Sequence, residues 1–179
     1  MYELYVLSEL MDGPKTGYHL RKVLQLTLGT HRKISFGVLY PLLKKLSEQG
    51  LINLSAEENG TKKTASITQA GAQRLQVLIA TPLVHNAHVE EAFLIKLDAI
   101  QHAKPAVQLA VLNEYQAWNT EQITSSQASV ERLLGLTDMS EVDRQSAMRI
   151  IQLKISRNQV TLDWIAQTKQ TLNLNGAKS

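Results

Sequence analysis

The residues of this sequence best suited to chemistry are basic side chains that occur in adjacent pairs within its first half. Through Ala80 the chain has ten basic and six acidic residues, a net charge of +4, whereas the remaining nine basic and ten acidic residues give −1. Such an uneven distribution indicates that the first half binds a polyanion. Three of these pairs are predicted to contact it: Arg32 and Lys33, Lys44 and Lys45, and Lys62 and Lys63.

A second candidate for chemistry is a pair of histidines, His85 and His88, with Glu91 nearby, which could bind a metal ion from one face of a helix. Zinc hydrolases place two histidines four residues apart around a glutamate and add a third ligand, and neither feature occurs here. The sequence also has no cysteine, Gly-rich phosphate loop or nucleophile elbow. We therefore expect no enzyme activity, no cofactor and no metal, and keep a metal-responsive sensor as an alternative.

The basic pairs lie on short elements that the pattern of apolar and turn residues predicts. Leucines at helical spacing form a first helix that ends at residues 12–14, and Thr16 caps a second helix that ends at Gly29. A third helix opens at Ser35 and closes at Gly50, which takes the position after the last helical residue. The first two basic pairs therefore lie just before and within the third helix.

A β-hairpin is predicted after the third helix, because Asn59-Gly60 favours a reversing turn between two short apolar runs. Thr68 can cap a fourth helix, and Pro82 marks the end of this region. The third basic pair falls at the tip of the hairpin. Three short helices followed by a hairpin is the element order of a winged helix-turn-helix domain, which we assign to residues 1–81.

The third helix has two opposite faces, because successive residues of a helix are about 100° apart. The face that we predict to be core is aliphatic and consists of Leu39, Leu42, Leu43 and Leu46. The opposite face carries Gly37, Pro41, Lys44 and Glu48, with Tyr40 at its flank. A small residue near the start of a helix lets its backbone approach base edges in a major groove, and lysine and tyrosine reach phosphates or base acceptors. This face is therefore the candidate DNA-binding surface.

After Pro82 the pattern is helical almost throughout, and residues 82–179 are predicted to form a helical dimerisation domain. One helix starts at Pro105 and ends before Gly135, and the last helix starts near Ser140. The last helix has apolar residues in a heptad register, which favours a coiled-coil contact with a second copy. These residues are Met148, Ile151, Ile155, Leu162, Ile165 and Leu172. A neighbouring seam on the same helix consists of Ile150, Leu153, Val160 and Trp164. The fold class is thus mainly α with a small β-hairpin, and a monomeric bundle is the alternative to a dimer.

Three segments of the first half resemble the PadR family of transcriptional regulators. Residues 35–46, Ser-Phe-Gly-Val-Leu-Tyr-Pro-Leu-Leu-Lys-Lys-Leu, followed by 48–52, are similar to the recognition-helix signature of that family. Residues 16–20, Thr-Gly-Tyr-His-Leu, resemble its His-Gly-Tyr-Glu-Ile element, and residues 66–71, Ser-Ile-Thr-Gln-Ala-Gly, resemble its strand-to-helix element. The three segments occur in the order that the family has.

The second half resembles the long-tailed PadR subgroup related to virulence-gene activators, through residues 91–97 and Trp164. The resemblance implies a homodimer, paired through its tail, that binds a pseudo-palindromic operator, usually as a repressor. In such a complex Ser35, Gly37 and Tyr40 would lie nearest the bases, and Lys44 and Lys45 would bind phosphates. The remaining basic residues, Lys62, Lys63, Arg32 and Lys33, would add attraction that does not depend on sequence. The strand after the tip lacks the tyrosine pair usual in the family, which predicts either a looser wing or weaker phosphate contacts by the wing.

Three further expectations complete the analysis. The sequence has neither a leader-like start nor a run of about 18 uncharged apolar residues, so we expect a cytoplasmic protein that does not contact the membrane. Regulators of this type often respond to a small-molecule effector, whose identity is unreadable here and whose site would lie near Trp118 or Trp164. A winged-helix protein-interaction module is the alternative of another class, and the lysines of the third helix and the wing favour DNA over it.

Overall fold

The structure is a computed structural model that describes residues 1–29, 36–55 and 63–176, without the side chains of Phe36 and 173–176. The chain divides into two compact units, Met1–Val111 and Leu112–Ser179. The elements in chain order are α1 (Tyr2–Met11), β1 (Lys15–Thr16), α2 (Gly17–Leu28), α3 (Phe36–Glu48), β2 (Ile52–Leu54), β3 (Thr64–Ile67), α4 (Gln69–Ala80), α5 (Val89–Ala99), a 3-10 turn (Ile100–His102), α6 (Pro105–Leu134) and α7 (Glu141–Gly176). The described elements confirm the fold class, mainly helical with a small sheet.

Helix α1 is the centre of the first unit, and its residues from Leu4 to Leu10 are all buried. It packs against α2, α4, α5 and β3. The hydroxyl of Tyr5 donates a hydrogen bond to the carbonyl oxygen of Leu20 at 2.6 Å, which satisfies a polar group inside the core. Because α5 packs on α1, the first compact unit ends at Val111, later than the domain boundary that the sequence predicts after residue 81. The functional division at that residue stays a prediction.

The small sheet has three strands in the described residues, in the order β1-β3-β2, and all pairings are antiparallel. Leu54 pairs with Ala65 and Ile52 with Ile67, so the predicted hairpin is confirmed as the wing, which we define as β2 and β3. Its Asn59-Gly60 turn lies outside the described residues. Strand β1 was not predicted; it brings the start of α2 alongside the wing strand β3.

Two threonines fix the helix starts that the sequence predicts. The Oγ1 atom of Thr16 accepts a hydrogen bond from the backbone N–H of His19 at 3.2 Å, at the start of α2. The Oγ1 atom of Thr68 accepts one from the N–H of Gly71 at 3.0 Å, at the start of α4. Each side chain satisfies one of the donors that a helix start leaves unpaired, so both predicted caps are confirmed.

The second unit contains the greater part of α6 and all of α7, which are joined at both ends. The Nζ atom of Lys169 donates to the side chains of Asn113, at 2.6 Å, and Gln116. At the other end the guanidinium of Arg144 donates to the carbonyl oxygens of Leu133 and Leu136, at 2.6 and 2.7 Å. These contacts pair the start of each helix with the end of the other, so this part is an antiparallel helical hairpin.

No helix in the part of the chain that the structure describes combines the length and the apolar character needed to cross a membrane.

Candidate nucleic-acid interface

Helix α3 turns its aliphatic face inward, as the sequence predicts. Leu39, Leu43 and Leu46 are at most 4% exposed, and Leu42 is half-buried. Burial of each such leucine contributes about 1.5–3 kcal/mol relative to an exposed position, which fixes the rotation of the helix about its axis. The opposite face is exposed as predicted and carries Gly37, Pro41, Lys44 and Glu48, with Tyr40 at its flank.

The end of α3 is anchored to the wing and to α4 through one turn of backbone. Gly50 has φ +71°, the left-handed conformation that lets the chain leave a helix, and the N–H of Leu51 donates to the carbonyl of Leu46 at 2.9 Å. The hydroxyl of Thr68 lies 2.8 Å from the carbonyl oxygen of Gly50 and 3.0 Å from that of Leu51. This turn therefore sets the angle at which α3 stands on the domain.

Three of the predicted DNA-binding residues line one cleft of about 200 Å³ between α3 and the wing. Tyr40 and Lys44 contribute from α3, and Lys63 contributes from the start of β3. The other residues that line the cleft are Gly17, Leu43, Leu54 and Ala65. The cleft therefore has an apolar floor with two lysines and a tyrosine around it, which combines phosphate-binding groups with a surface for an apolar or aromatic group.

Lys45 does not line this cleft. It follows Lys44 by one residue and so points about 100° away around the helix. On that flank it shares a side with Val38, which is 46% exposed. The adjacent lysines thus lie on opposite flanks of the exposed face, an arrangement that suits contacts with the two phosphate backbones that border a groove.

The lysines on this side of the domain make only weak electrostatic interactions with the rest of the protein. The Nζ atom of Lys44 lies 3.7 Å from the Oε1 atom of Glu48, and the two side chains are 78% and 65% exposed. Exposed ion pairs of this kind contribute little, because water and salt screen them. Lys45 and Lys63 are exposed as well. All three ammonium groups can therefore move to an incoming anion at small cost.

Tyr40 is 53% exposed, and its ring lies against the backbone of Gly17. A Cβ atom built on Gly17 would lie 3.0 Å from Cε1 of that ring and 3.3 Å from Cζ. Sequence reasoning missed Gly17 and Leu54 as parts of the site. The contact depends on strand β1, whose two residues pair with the wing, and the sequence signal for so short a strand is weak.

The structure places only part of the predicted site. Arg32, Lys33, Ser35 and Lys62 lie outside the described residues, so their roles stay predictions.

The alternative metal site receives no support from the positions of its ligands. His85 and His88 are exposed, and Nδ1 of His88 lies 3.8 Å from Oε2 of Glu91. Within residues 1–29, 36–55 and 63–176, no group of three or more acidic, histidine or cysteine side chains is arranged to hold a metal ion.

The predicted dimerisation residues of α7 differ in exposure. Ile165 is 1% exposed, so one chain already buries it, and the other five, Met148, Ile151, Ile155, Leu162 and Leu172, are half-buried. The neighbouring seam is more open: Ile150, Leu153, Val160 and Trp164 are 45–68% exposed. We call these four residues the exposed seam. The second tryptophan, Trp118, is 8% exposed and stacks on Tyr115 with ring centroids 6.2 Å apart.

A winged helix-turn-helix domain whose third helix exposes lysines is typical of one class of protein, the nucleic-acid-binding winged helices. Residues 6–77 match the family model described as "Transcriptional regulator PadR-like family". This segment is similar to that family, and the resemblance stated from the sequence is confirmed. The matched segment runs from α1 to α4 and includes α3, the cleft and the wing.

Comparison with known proteins gives relatives that are similar to part of this chain. The chain is 42% identical over 74 residues to "Transcriptional regulator YqjI" of Escherichia coli K12, and equally to "Uncharacterized protein YqjI" of Shigella flexneri. The aligned part covers 41% of this chain and 35% of each relative, so the chain spans about a third of the length of the curated relatives it matches. The matched family and the E. coli relative are named as regulators and not as enzymes, in agreement with the expectation of no enzyme activity.

Two solved structures are similar over nearly the whole chain. Bacillus subtilis PadR in complex with operator DNA is 20% identical, with a TM-score of 0.44 and coverage of 95% of this chain and 97% of that one. The Vibrio cholerae virulence activator AphA is 22% identical, with a TM-score of 0.40 and coverage of 97% and 99%.

Proposed function

We propose that this chain is a sequence-specific DNA-binding regulator of transcription that binds a pseudo-palindromic operator as a homodimer. The observation that carries the proposal is the cleft between α3 and the wing, where Tyr40, Lys44 and Lys63 come together on the exposed side of the matched segment. A tyrosine flanked by two cations suits a major groove, where bases are bordered by phosphates.

In the proposed complex α3 enters the major groove, with Gly37 near its first turn facing the base edges. Lys44 and Lys63 bind phosphate on the side of the wing, and Lys45 binds phosphate on the other flank. Glu48 lies at the end of the exposed face, 3.7 Å from Lys44. When DNA binds, a phosphate replaces Glu48 as the ion-pair partner of Lys44. The predicted basic residues outside the described ranges, Arg32, Lys33 and Lys62, add further phosphate contacts, and Ser35 adds one to a base.

A homodimer would present two such helices to half-sites about 34 Å apart, one turn of DNA. The exposed seam of α7 supports the dimer, because four large apolar residues on one helix face form a patch that a monomer rarely leaves to water. We place the contact with the second copy on this exposed seam. The heptad residues predicted from the sequence then pack partly within the chain, as Ile165 does, and partly at the edge of the same contact.

The proposal that the chain is a repressor and responds to a small-molecule effector is based only on the resemblance to the family. We propose that it acts in the cytoplasm. Trp118 or Trp164 would report such an effector by a change in fluorescence. A panel of candidate ligands that leaves both the fluorescence and the DNA affinity unchanged would contradict this part of the proposal.

The direct test is selection of bound duplexes from a random pool by the purified chain, followed by affinity measurements at several salt concentrations. We expect an enriched palindrome whose half-site centres are about 10–10.5 base pairs, or a multiple of that, apart. The affinity should fall steeply with salt, because bound lysines release counterions from phosphate. Absence of any enriched sequence, or binding of a protein partner that is indifferent to salt, would favour a docking module instead.

The dimer is tested by sedimentation of variants in the exposed seam. We expect Trp164→Glu to shift the chain to monomers with little change in helix content, because Trp164 is 45% exposed in one chain. Gln167→Glu, which adds the same charge at an exposed polar position, is the matched control. Ile165→Glu should instead lower the stability of the hairpin, because Ile165 is buried within its own chain. A Trp164→Glu protein that stays dimeric would move the contact elsewhere.

A further inference from the structure

The contact between Gly17 and Tyr40 has a consequence that the proposed function does not contain. We propose that Gly17 is a specificity-determining position, because its missing side chain lets the ring of Tyr40 lie against α2 and holds it in one orientation for contact with a base. This inference rests on the proposed function, since it assumes that the exposed face of α3 binds DNA.

Gly17 is fixed in place by two independent restraints. Its neighbour Thr16 pairs with Thr64 in the sheet, and the side chain of Thr16 caps α2 by accepting a hydrogen bond from His19. Gly17 is itself buried and is the first residue of α2. The backbone against which the Tyr40 ring lies is therefore part of the rigid frame that joins α2 to the wing.

The fit between the two residues is tight, and a side chain on Gly17 would require the Tyr40 ring to shift by a few tenths of an ångström. A Cβ atom there would lie 3.0 and 3.3 Å from Cε1 and Cζ of Tyr40, closer than ordinary van der Waals contact, and 3.4 Å from its hydroxyl oxygen. The backbone of Gly17 would tolerate alanine, because it is helical and its φ is not positive. The expected consequence of alanine is thus a displaced Tyr40 ring, because that side chain is 53% exposed.

A ring held in its binding orientation loses little conformational entropy when DNA binds, and this favours the base that it contacts. Lys44 and Lys63, which line the same cleft, bind phosphates of any sequence. Displacement of Tyr40 should therefore reduce the preference for the operator and leave the sequence-independent affinity intact. This separation distinguishes a positioning role for Gly17 from a general effect on the interface.

The experiment compares Gly17→Ala with the unchanged chain on the selected operator and on an unrelated duplex of equal length. We expect the operator affinity to fall about 2- to 12-fold for each half-site, the range for one side chain that must be reordered on binding. The affinity for unrelated DNA and its salt dependence should not change. The midpoint temperature of thermal unfolding should be unchanged or slightly higher, because alanine has a higher helix propensity than glycine.

A double-variant cycle makes the result specific to Tyr40. In a Tyr40→Ala background, Gly17→Ala should have no further effect on the operator affinity, because there is no ring to displace. An equal loss in both backgrounds, or an unchanged operator preference in Gly17→Ala alone, would overturn the inference. A parent chain that shows no operator preference would instead overturn the proposed function, so the two failures are distinguishable.

Discussion

Replacing Lys44 by alanine removes a phosphate-binding charge from α3 without disturbing the fold. The Lys44 side chain is 78% exposed and lies 3.7 Å from Glu48, which is itself 65% exposed. A pair of this exposure contributes at most about 1 kcal/mol, and salt screens part of that. We therefore expect unchanged thermal unfolding and a loss confined to DNA binding.

The size of that loss follows from counterion release. Each phosphate contact contributes about 0.9 to the slope of log affinity against log salt concentration, so two copies of Lys44 in a dimer contribute about 1.8. Between about 50 and 200 mM salt, a fourfold change, this difference amounts to a factor of about 12. The Lys44→Ala variant should therefore lose about 12-fold more affinity at the lower concentration than at the higher one.

The assay is fluorescence anisotropy of labelled duplexes at several salt concentrations, with the operator and with unrelated DNA. The loss should be the same on both, because a phosphate contact carries no sequence information. Lys154→Ala removes an exposed lysine from α7 and should leave the slope unchanged, and Glu48→Gln should raise the affinity by freeing Lys44. An unchanged slope in Lys44→Ala, or a loss limited to the operator, would refute a phosphate contact by this residue.

Three further predictions concern stability. Gly71→Ala should lower the free energy of unfolding by about 1–3 kcal/mol or more, because its Cβ would lie 2.1 Å from the carbonyl oxygen of Leu51, a backbone atom that cannot turn away. Arg144→Met should cost about 1.5–3 kcal/mol in the helical hairpin, because it removes charged donors from two carbonyl groups. Asp98→Asn should stabilise the first unit at neutral pH, because burial and then the charge of Glu9 raise the pKa of the Asp98 carboxyl above its ordinary 3.8.

The sign of the Asp98 effect is set by proton binding. With a raised pKa the folded state holds the proton more strongly than the unfolded state, so this residue stabilises the fold below the ordinary pKa and loses that contribution as the pH rises. The gain from Asp98→Asn in urea unfolding should therefore be larger at pH 7 than at pH 3. An equal gain at both pH values would contradict the assignment.

Controls for the other two stability predictions come from the same helices. Gln69→Ala, at the exposed first position of α4, should change stability by less than about 0.5 kcal/mol, as should Arg149→Met on the exposed surface of α7. Chemical denaturation followed by circular dichroism measures all four variants. The interpretation fails for Gly71 if its variant is as stable as Gln69→Ala, and for Arg144 if its variant is as stable as Arg149→Met.

Elements with strong local signals could be predicted from the sequence. Helix α6 begins at Pro105 and ends at Leu134, as the first-turn proline and Gly135 indicate. The inward face of α3 and the caps at Thr16 and Thr68 were predicted correctly for the same reason: helical periodicity and hydroxyl caps act within a few residues.

Features that depend on pairing between distant segments could not be predicted. Strand β1 has two residues, and its pairing with Thr64 and Ala65 joins positions about 50 apart in the sequence. The cleft needs that pairing, because Gly17 reaches Tyr40 only when β1 holds the start of α2 beside the wing. The sequence therefore predicts which face of α3 is exposed, and the structure adds what lies beside it.

The packing of α7 also depends on a distant segment and could not be predicted from the sequence. Two apolar seams on α7 follow from periodicity, but which one the chain buries depends on the packing of α6 against it. Burial of Ile165 and exposure of Trp164 settle this within one chain. The heptad register favours the first seam for the contact between copies, because coiled coils share that pattern, and the use of either seam in a dimer stays a prediction.

The central claim, that the exposed face of α3 and the wing bind DNA, is tested most directly by lysine labelling with an amine-reactive reagent, with and without a duplex, followed by mass spectrometry. We predict that DNA protects Lys44, Lys45 and Lys63 while Lys154 keeps its reactivity; Lys96, which is 1% exposed, should react in neither state. Equal labelling of Lys44, Lys45 and Lys63 with and without bound DNA would contradict the claim.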